Sequence, residues 1–146
     1  MVDKVFNYQV IEKAIAPFND SVIVCLETAA DYHGLSNGVY MEDLFRVYSE
    51  NSIPENGIES FVIPDCFNSK KFVTVNNIHV TTVEQTIIDL LEHEDNIDIQ
   101  TLLESLSNYY YMHNESFAEL EGQMNEEQQE LLNKWKQDAI DYYDEG

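Results

Sequence analysis

Basic side chains are nearly missing from this sequence. Seven lysines and arginines stand against 28 aspartates and glutamates, a net charge of −21. Binding to DNA, RNA or anionic lipid draws its affinity from lysine and arginine meeting phosphate, so direct nucleic-acid and membrane binding are not expected. The deficit is uneven: residues 1–72 hold 11 acids and 5 bases, whereas residues 73–146 hold 17 acids and only Lys134 and Lys136. Glycine is scarce as well, at 5 residues, and no phosphate-cradling loop of the G-x-x-x-x-G-K-[ST] or G-x-G-x-x-G kind occurs. The nucleophile-elbow pattern G-x-S-x-G is missing too. Cysteine appears twice, and Cys25 and Cys66 read as buried reduced thiols rather than a disulfide. No run approaches the ~18 consecutive apolar residues of a membrane helix. The opening "MVDKVFNYQV" has neither the basic nor the apolar region of a secretory signal, so a cytoplasmic protein is expected.

What remains is a chain that is 44% apolar, enough for one α+β domain over residues 1–146. "VFNYQVIEKAIA" (5–16) predicts a helix stopped by Pro17. "SVIVCLETAADYH" (21–33) predicts a second, capped by Asp20 or Ser21, with Val22, Leu26, Ala29 and Ala30 on one face. Gly34 stands where a left-handed cap is wanted. His33 falls in the last turn, where a cation favours the carbonyl end of the helix dipole. The middle of the chain is rich in aromatic and β-branched residues at 44–49, 58–63, 71–75 and 78–82, with Asn76-Asn77 as a tight turn. These segments predict a small antiparallel sheet of about four strands packed with N-terminal and C-terminal helices.

The second half reads as helical. Thr81-x-x-Glu84 or Thr82-x-x-Gln85 forms a capping box ahead of Val83, Ile87, Leu90 and Leu91. Helices follow at about 98–112 and about 126–143, joined by a polar connector anchored by Phe117 and Leu120. Among His33, His79, His93 and His113 no pair stands at metal-ligand spacing. No metal, cofactor or catalytic activity is expected.

Two features are candidates for partner binding. In "NYYYMHN" (108–114) three consecutive tyrosines cannot all face a core, because successive helical residues turn by about 100°. Tyr109 and Tyr111 are therefore either boundary packing or an aromatic contact patch. The acids Glu126, Glu127, Glu130, Asp138, Asp141, Asp144 and Glu145 have few bases near them. They form either a solvated face or a surface for a basic protein partner.

"CLETAADYHGLSNG" (25–38) resembles the "xLxSALxxHGLT" segment of the AbiEi-type antitoxin family, the antitoxin half of AbiE toxin–antitoxin systems. "IHVTTVEQTIIDLLEHED" (78–95) resembles that family's "VTSxERTLIDLL" segment at a similar spacing, and "IDIQTLLESLSNYY" resembles its next helix. The likeness covers roughly residues 20–112. The family's arginine before the threonine is Gln85 here, and only about twenty residues precede the shared segment, too few for its winged helix-turn-helix. The resemblance implies the toxin-countering domain alone, of bacterial or mobile-element origin, facing a nucleotidyltransferase-like toxin. It makes His33, Gly34 and Leu35 a structural signature without a catalytic role. The alternative is an acidic DNA mimic that blocks a defence nuclease of the restriction or CRISPR type.

Overall fold

The computed structural model describes residues 2–36 and 44–142, with 2–8 as backbone alone. Helix α1 (Val2–Ile15) ends in a 3-10 turn at Ala16–Phe18, where Pro17 cannot continue an α-helix. Then come β1 (Val22–Val24), α2 (Leu26–Tyr32), β2 (Phe45–Ser49), β3 (Ile58–Val62) and the short α3 (Cys66–Ser69). They are followed by β4 (Phe72–Val75), β5 (Ile78–Thr81), α4 (Val83–Glu92), α5 (Ile99–Met112), the short α6 (Ala118–Glu121) and α7 (Glu126–Ile140). No described helix is long and apolar enough to cross a membrane.

The α+β class stands, but the sheet is mixed and has five strands, in the order β3-β2-β1-β5-β4. β1 runs antiparallel to β2 and parallel to β5, β2 and β3 are parallel, and β4 and β5 form an antiparallel hairpin. The fifth strand is Val22–Val24, inside the segment expected to be helical. Its three β-branched residues are 0–1% exposed, with Val22 and Val24 facing one apolar cluster and Ile23 the other. A strand buried on both faces shows no alternation, and periodicity cannot distinguish it from a helical turn. The helix therefore starts at Leu26, and neither Asp20 nor Ser21 caps it. Leu26 itself sits at a φ of 52° while fully buried, a conformation costing a leucine roughly 1–2 kcal/mol.

The sheet separates two cores. Ile11 and Ile15 of α1 cover Val22, Val24, Val47, Ile78 and Val80. On the other face α4, α5 and α7 bury Ile87, Leu91, Leu102, Leu106, Leu132 and Ala139 against Ile23 and Tyr48. Every residue of α2 is buried, so its polar side chains need partners inside the protein.

The end of α2 is where the two resembling segments meet. Leu35 N–H donates to the Ala30 carbonyl at 2.8 Å and Gly34 N–H to the Asp31 carbonyl at 3.0 Å, the paired bonds of a Schellman motif. Gly34 has a φ of 77° and Leu35 is 1% exposed. His33 differs from expectation. Its Nε2–H donates to the Thr81 carbonyl at 2.7 Å, and burial lowers its pKa, so it acts as a neutral clasp between α2 and β5 rather than a helix-end cation. Of the two expected capping registers, Thr82 caps α4 by accepting from Gln85 N–H. Thr81 instead turns inward and shares a 2.6 Å hydrogen bond with Thr86.

Candidate functional site

Two buried acids, Glu27 and Asp89, are paired with bases. On α2, Glu27 accepts from Arg46 of β2 at 2.6 Å and from Asp98 N–H at 3.0 Å, while Arg46 also reaches Glu59. On α4, Asp89 is fully buried, and its Oδ1 accepts from Lys70 Nζ and Gln85 Nε2, each at 2.9 Å. Lys70 also lies over the Tyr48 ring, 4.9 Å from its centre. Asp89 Oδ2 and Tyr48 Oη have no partner in hydrogen-bonding geometry, although the hydroxyl is near enough to favour the carboxylate. Burial raises the Asp89 pKa against the opposing pull of Lys70. Arg46 and Lys70 offset Glu27 and Asp89, so these two pairs contribute nothing to the net −21.

Chemistry-bearing side chains are committed to this interior. Burial pushes the Cys25 thiol well above its ordinary pKa, which removes its nucleophilic form at neutral pH. Cys25 and Cys66 are both buried and free. Like His33, the other histidines each spend a ring nitrogen on a nearby group: His79 on Thr74, His93 on the Asp89 carbonyl and His113 on the Tyr109 carbonyl. Among the described residues no group of three or more His, Cys, Asp and Glu is placed to hold a metal ion. An open groove of about 610 Å³ lies where α1 meets β2 and β3, walled by Val10, Ala14, Phe18, Phe45 and Ile58. Among the described residues lining it Glu55 is the one ionisable group, so they offer apolar contact without an acid–base pair.

The surface acids of α7 form the candidate interface. Asn125 caps this helix in a reciprocal box with Gln128, and Leu132 and Ala139 anchor it at 0% exposure. At about 100° per residue, Glu126, Glu127, Glu130, Asp138 and Asp141 fall within an arc of about 120° opposite those anchors. Glu126, Glu127, Glu130 and Asp138 are exposed, while Asp141 is the half-buried C-cap and accepts from Gln137 at 3.1 Å. Asp144 and Glu145 lie outside the described residues.

By the same count Lys134 falls inside this arc, four residues from both Glu130 and Asp138, so the arc holds one base. Lys134 has Glu130 one turn away, yet its Nζ bonds Glu94 at 3.0 Å; Lys136 Nζ bonds Glu121 at 2.6 Å. These hydrogen bonds hold Glu94 and Glu121 below the usual carboxylate range. Both contacts escaped sequence reasoning, because the partners lie 40 and 15 residues away.

The tyrosine expectation divides. Tyr109 is not a contact residue: it is 0% exposed, stacked on His113 at 3.8 Å, and its hydroxyl donates to Glu84 at 3.0 Å. A tyrosine can be wholly buried on an amphipathic helix when a carboxylate from a neighbouring helix accepts its hydrogen bond. Tyr111 is 42% exposed and its hydroxyl donates to the Ile140 carbonyl, which places it on the α5–α7 seam beside the acidic arc.

No protein-family model and no curated protein matches this chain.

Proposed function

We propose that this chain is a non-enzymatic, antitoxin-like binding protein that presents the acidic arc of α7 to a basic protein partner. The observation that carries the reading is the pairing of Lys134 and Lys136 with Glu94 and Glu121, which among the described ion pairs leaves Glu126, Glu127, Glu130 and Asp138 with no bonded base. Asp138 and Asp141 sit at the carbonyl end of the helix, where negative charge costs a few tenths of a kcal/mol to about 1 kcal/mol each. Solubility alone does not require acids there. The toxin-countering role rests on the AbiEi-type likeness, whose two segments pack together through His33 and Thr81 and through α2 on α4. The same arc also supports an acidic mimic of DNA acting on a defence nuclease.

Capture from the native host with the wild type, against a variant carrying Glu126→Gln, Glu127→Gln, Glu130→Gln and Asp138→Asn, tests the reading. A basic partner retained by the wild type and lost by the variant is the expected result. Equal retention on both removes the acidic arc from the function. Adding duplex DNA to the captured complex separates the two forms: release identifies a nuclease's DNA groove, and resistance supports toxin antagonism.

A further inference from the structure

β4 is an edge strand, and among the described residues nothing pairs with its outer side. Its inner side pairs with β5 across Asn76 and Asn77, whose φ values of 50° and 70° build a type I′ hairpin. In such a hairpin Val75 and Val73 aim their backbone groups at Ile78 and Val80, so those of Phe72 and Thr74 point out of the sheet. Exposed edges are commonly guarded by proline, a bulge or a charge within the strand, and Phe72-Val73-Thr74-Val75 has none of these. Val73 and Val75 are 41% and 38% exposed, beside Val80 and Ile78, which are buried under α1.

We propose that a second copy of this chain pairs along β4, antiparallel about a two-fold axis at Val73, joining two five-stranded sheets into one. Phe72 and Thr74 then exchange backbone hydrogen bonds with Thr74 and Phe72 of the second copy, and the two Val73 side chains meet in a close non-hydrogen-bonded pair. Local charge is complementary to a copy of the same chain, against the overall repulsion of two chains of net −21. Lys71 is exposed at one end of β4, on the face that carries Val73 and Val75. At the other end Glu12 of α1 accepts from the Asn76 amide at 2.8 Å. Antiparallel pairing brings each Lys71 beside Val75 and Asn76 of the other copy, toward its Glu12, and makes two reciprocal ion pairs. The acidic arc belongs to the opposite side of the sheet and stays free. Four-residue strands bury less than the roughly 1,200 Å² of a stable interface, so the dimer is weak and depends on concentration.

Sedimentation velocity from about 10 to about 500 µM, at physiological ionic strength, reads this directly. The wild type is expected to shift from monomer to dimer across that range. Lys71→Glu and Glu12→Lys alone should stay monomeric, and an equimolar mixture of the two should dimerise, because the reversed charges are complementary across the mixed pair. A wild type that stays monomeric throughout, or a mixture no more associated than either variant, overturns the proposal.

Glu12 also accepts from Tyr32, so Glu12→Lys carries a risk to the fold that a second variant avoids. Non-hydrogen-bonded pairs place their Cα atoms about 4.5 Å apart, within disulfide range. Mild oxidation of Val73→Cys should therefore give a covalent dimer several-fold faster than Val62→Cys, a control at a 51% exposed site on β3. Equal rates overturn the proposed register.

Discussion

At Asp89 a single carboxylate shows how a chain so rich in acid still has to place charge inside. Its Oδ1 is doubly satisfied by Lys70 and Gln85, its Oδ2 is not, and burial raises its pKa. An aspartate whose folded pKa lies above its unfolded value of about 3.9 holds its proton more readily when folded. Its ionisation therefore costs stability at neutral pH, and that cost is relieved as pH falls through the folded pKa. Urea melts from about pH 7 down to about pH 4, the unfolded aspartate value, should show the wild type gaining stability relative to Asp89→Asn, which has no proton to take up there. Parallel profiles would remove Asp89 from the pH response. His33 acts with the opposite sign, since its lowered pKa costs stability as pH falls below about 6.5, and it does so in both proteins. Gly34 supplies a second test. At a φ of 77°, Gly34→Val should cost about 1–2 kcal/mol in the same melts, and an unchanged midpoint would exclude the cap as a source of stability.

α7 combines two faces that serve different ends. Leu132→Ala, at a fully buried anchor, should destabilise the protein by about 2–5 kcal/mol. The quadruple neutralisation Glu126→Gln, Glu127→Gln, Glu130→Gln, Asp138→Asn should leave the melting midpoint unchanged or raise it, because it relieves repulsion and an unfavourable charge near the carbonyl end. With a basic partner in hand, the same variant should associate more slowly and lose most of the wild type's salt dependence, as steered encounters do. Equal on-rates and salt slopes would mark the arc as solvated surface. Such a helix was legible in the sequence, at about 126–143, because its apolar positions repeat every turn; the Asn125 cap came from the structure. The destination of Lys134 and Lys136 was not, since it depends on Glu94 and Glu121 arriving from other elements.

Over the whole molecule, pairing inside concentrates imbalance outside. The described ion pairs employ Arg46, Lys70, Lys134 and Lys136, four of the seven bases, and two of those four lie in the interior. A net charge of −21 opposes the approach of phosphate. Duplex DNA at about 50 mM salt, where electrostatic contact is strongest, should show no binding at micromolar protein. Saturable micromolar binding would require a basic patch that the described residues do not present.

Composition by itself determined the electrostatic character, since a net charge of −21 needs no fold to be known. Local sequence determined the hairpin at Asn76-Asn77, the cap at Gly34 and helices α4, α5 and α7, because turn chemistry, capping and amphipathic period act within a few residues. Tertiary structure alone decided the rest. Val22–Val24 became the central strand because neighbours on both faces and both edges bury it, a condition no window of sequence contains. Tyr109 turned inward because Glu84, 25 residues away, meets its hydroxyl. His33 became a neutral clasp because Thr81 stands opposite it. In each case the deciding interaction joins residues remote in sequence, and its energy exists only once the chain has brought them together.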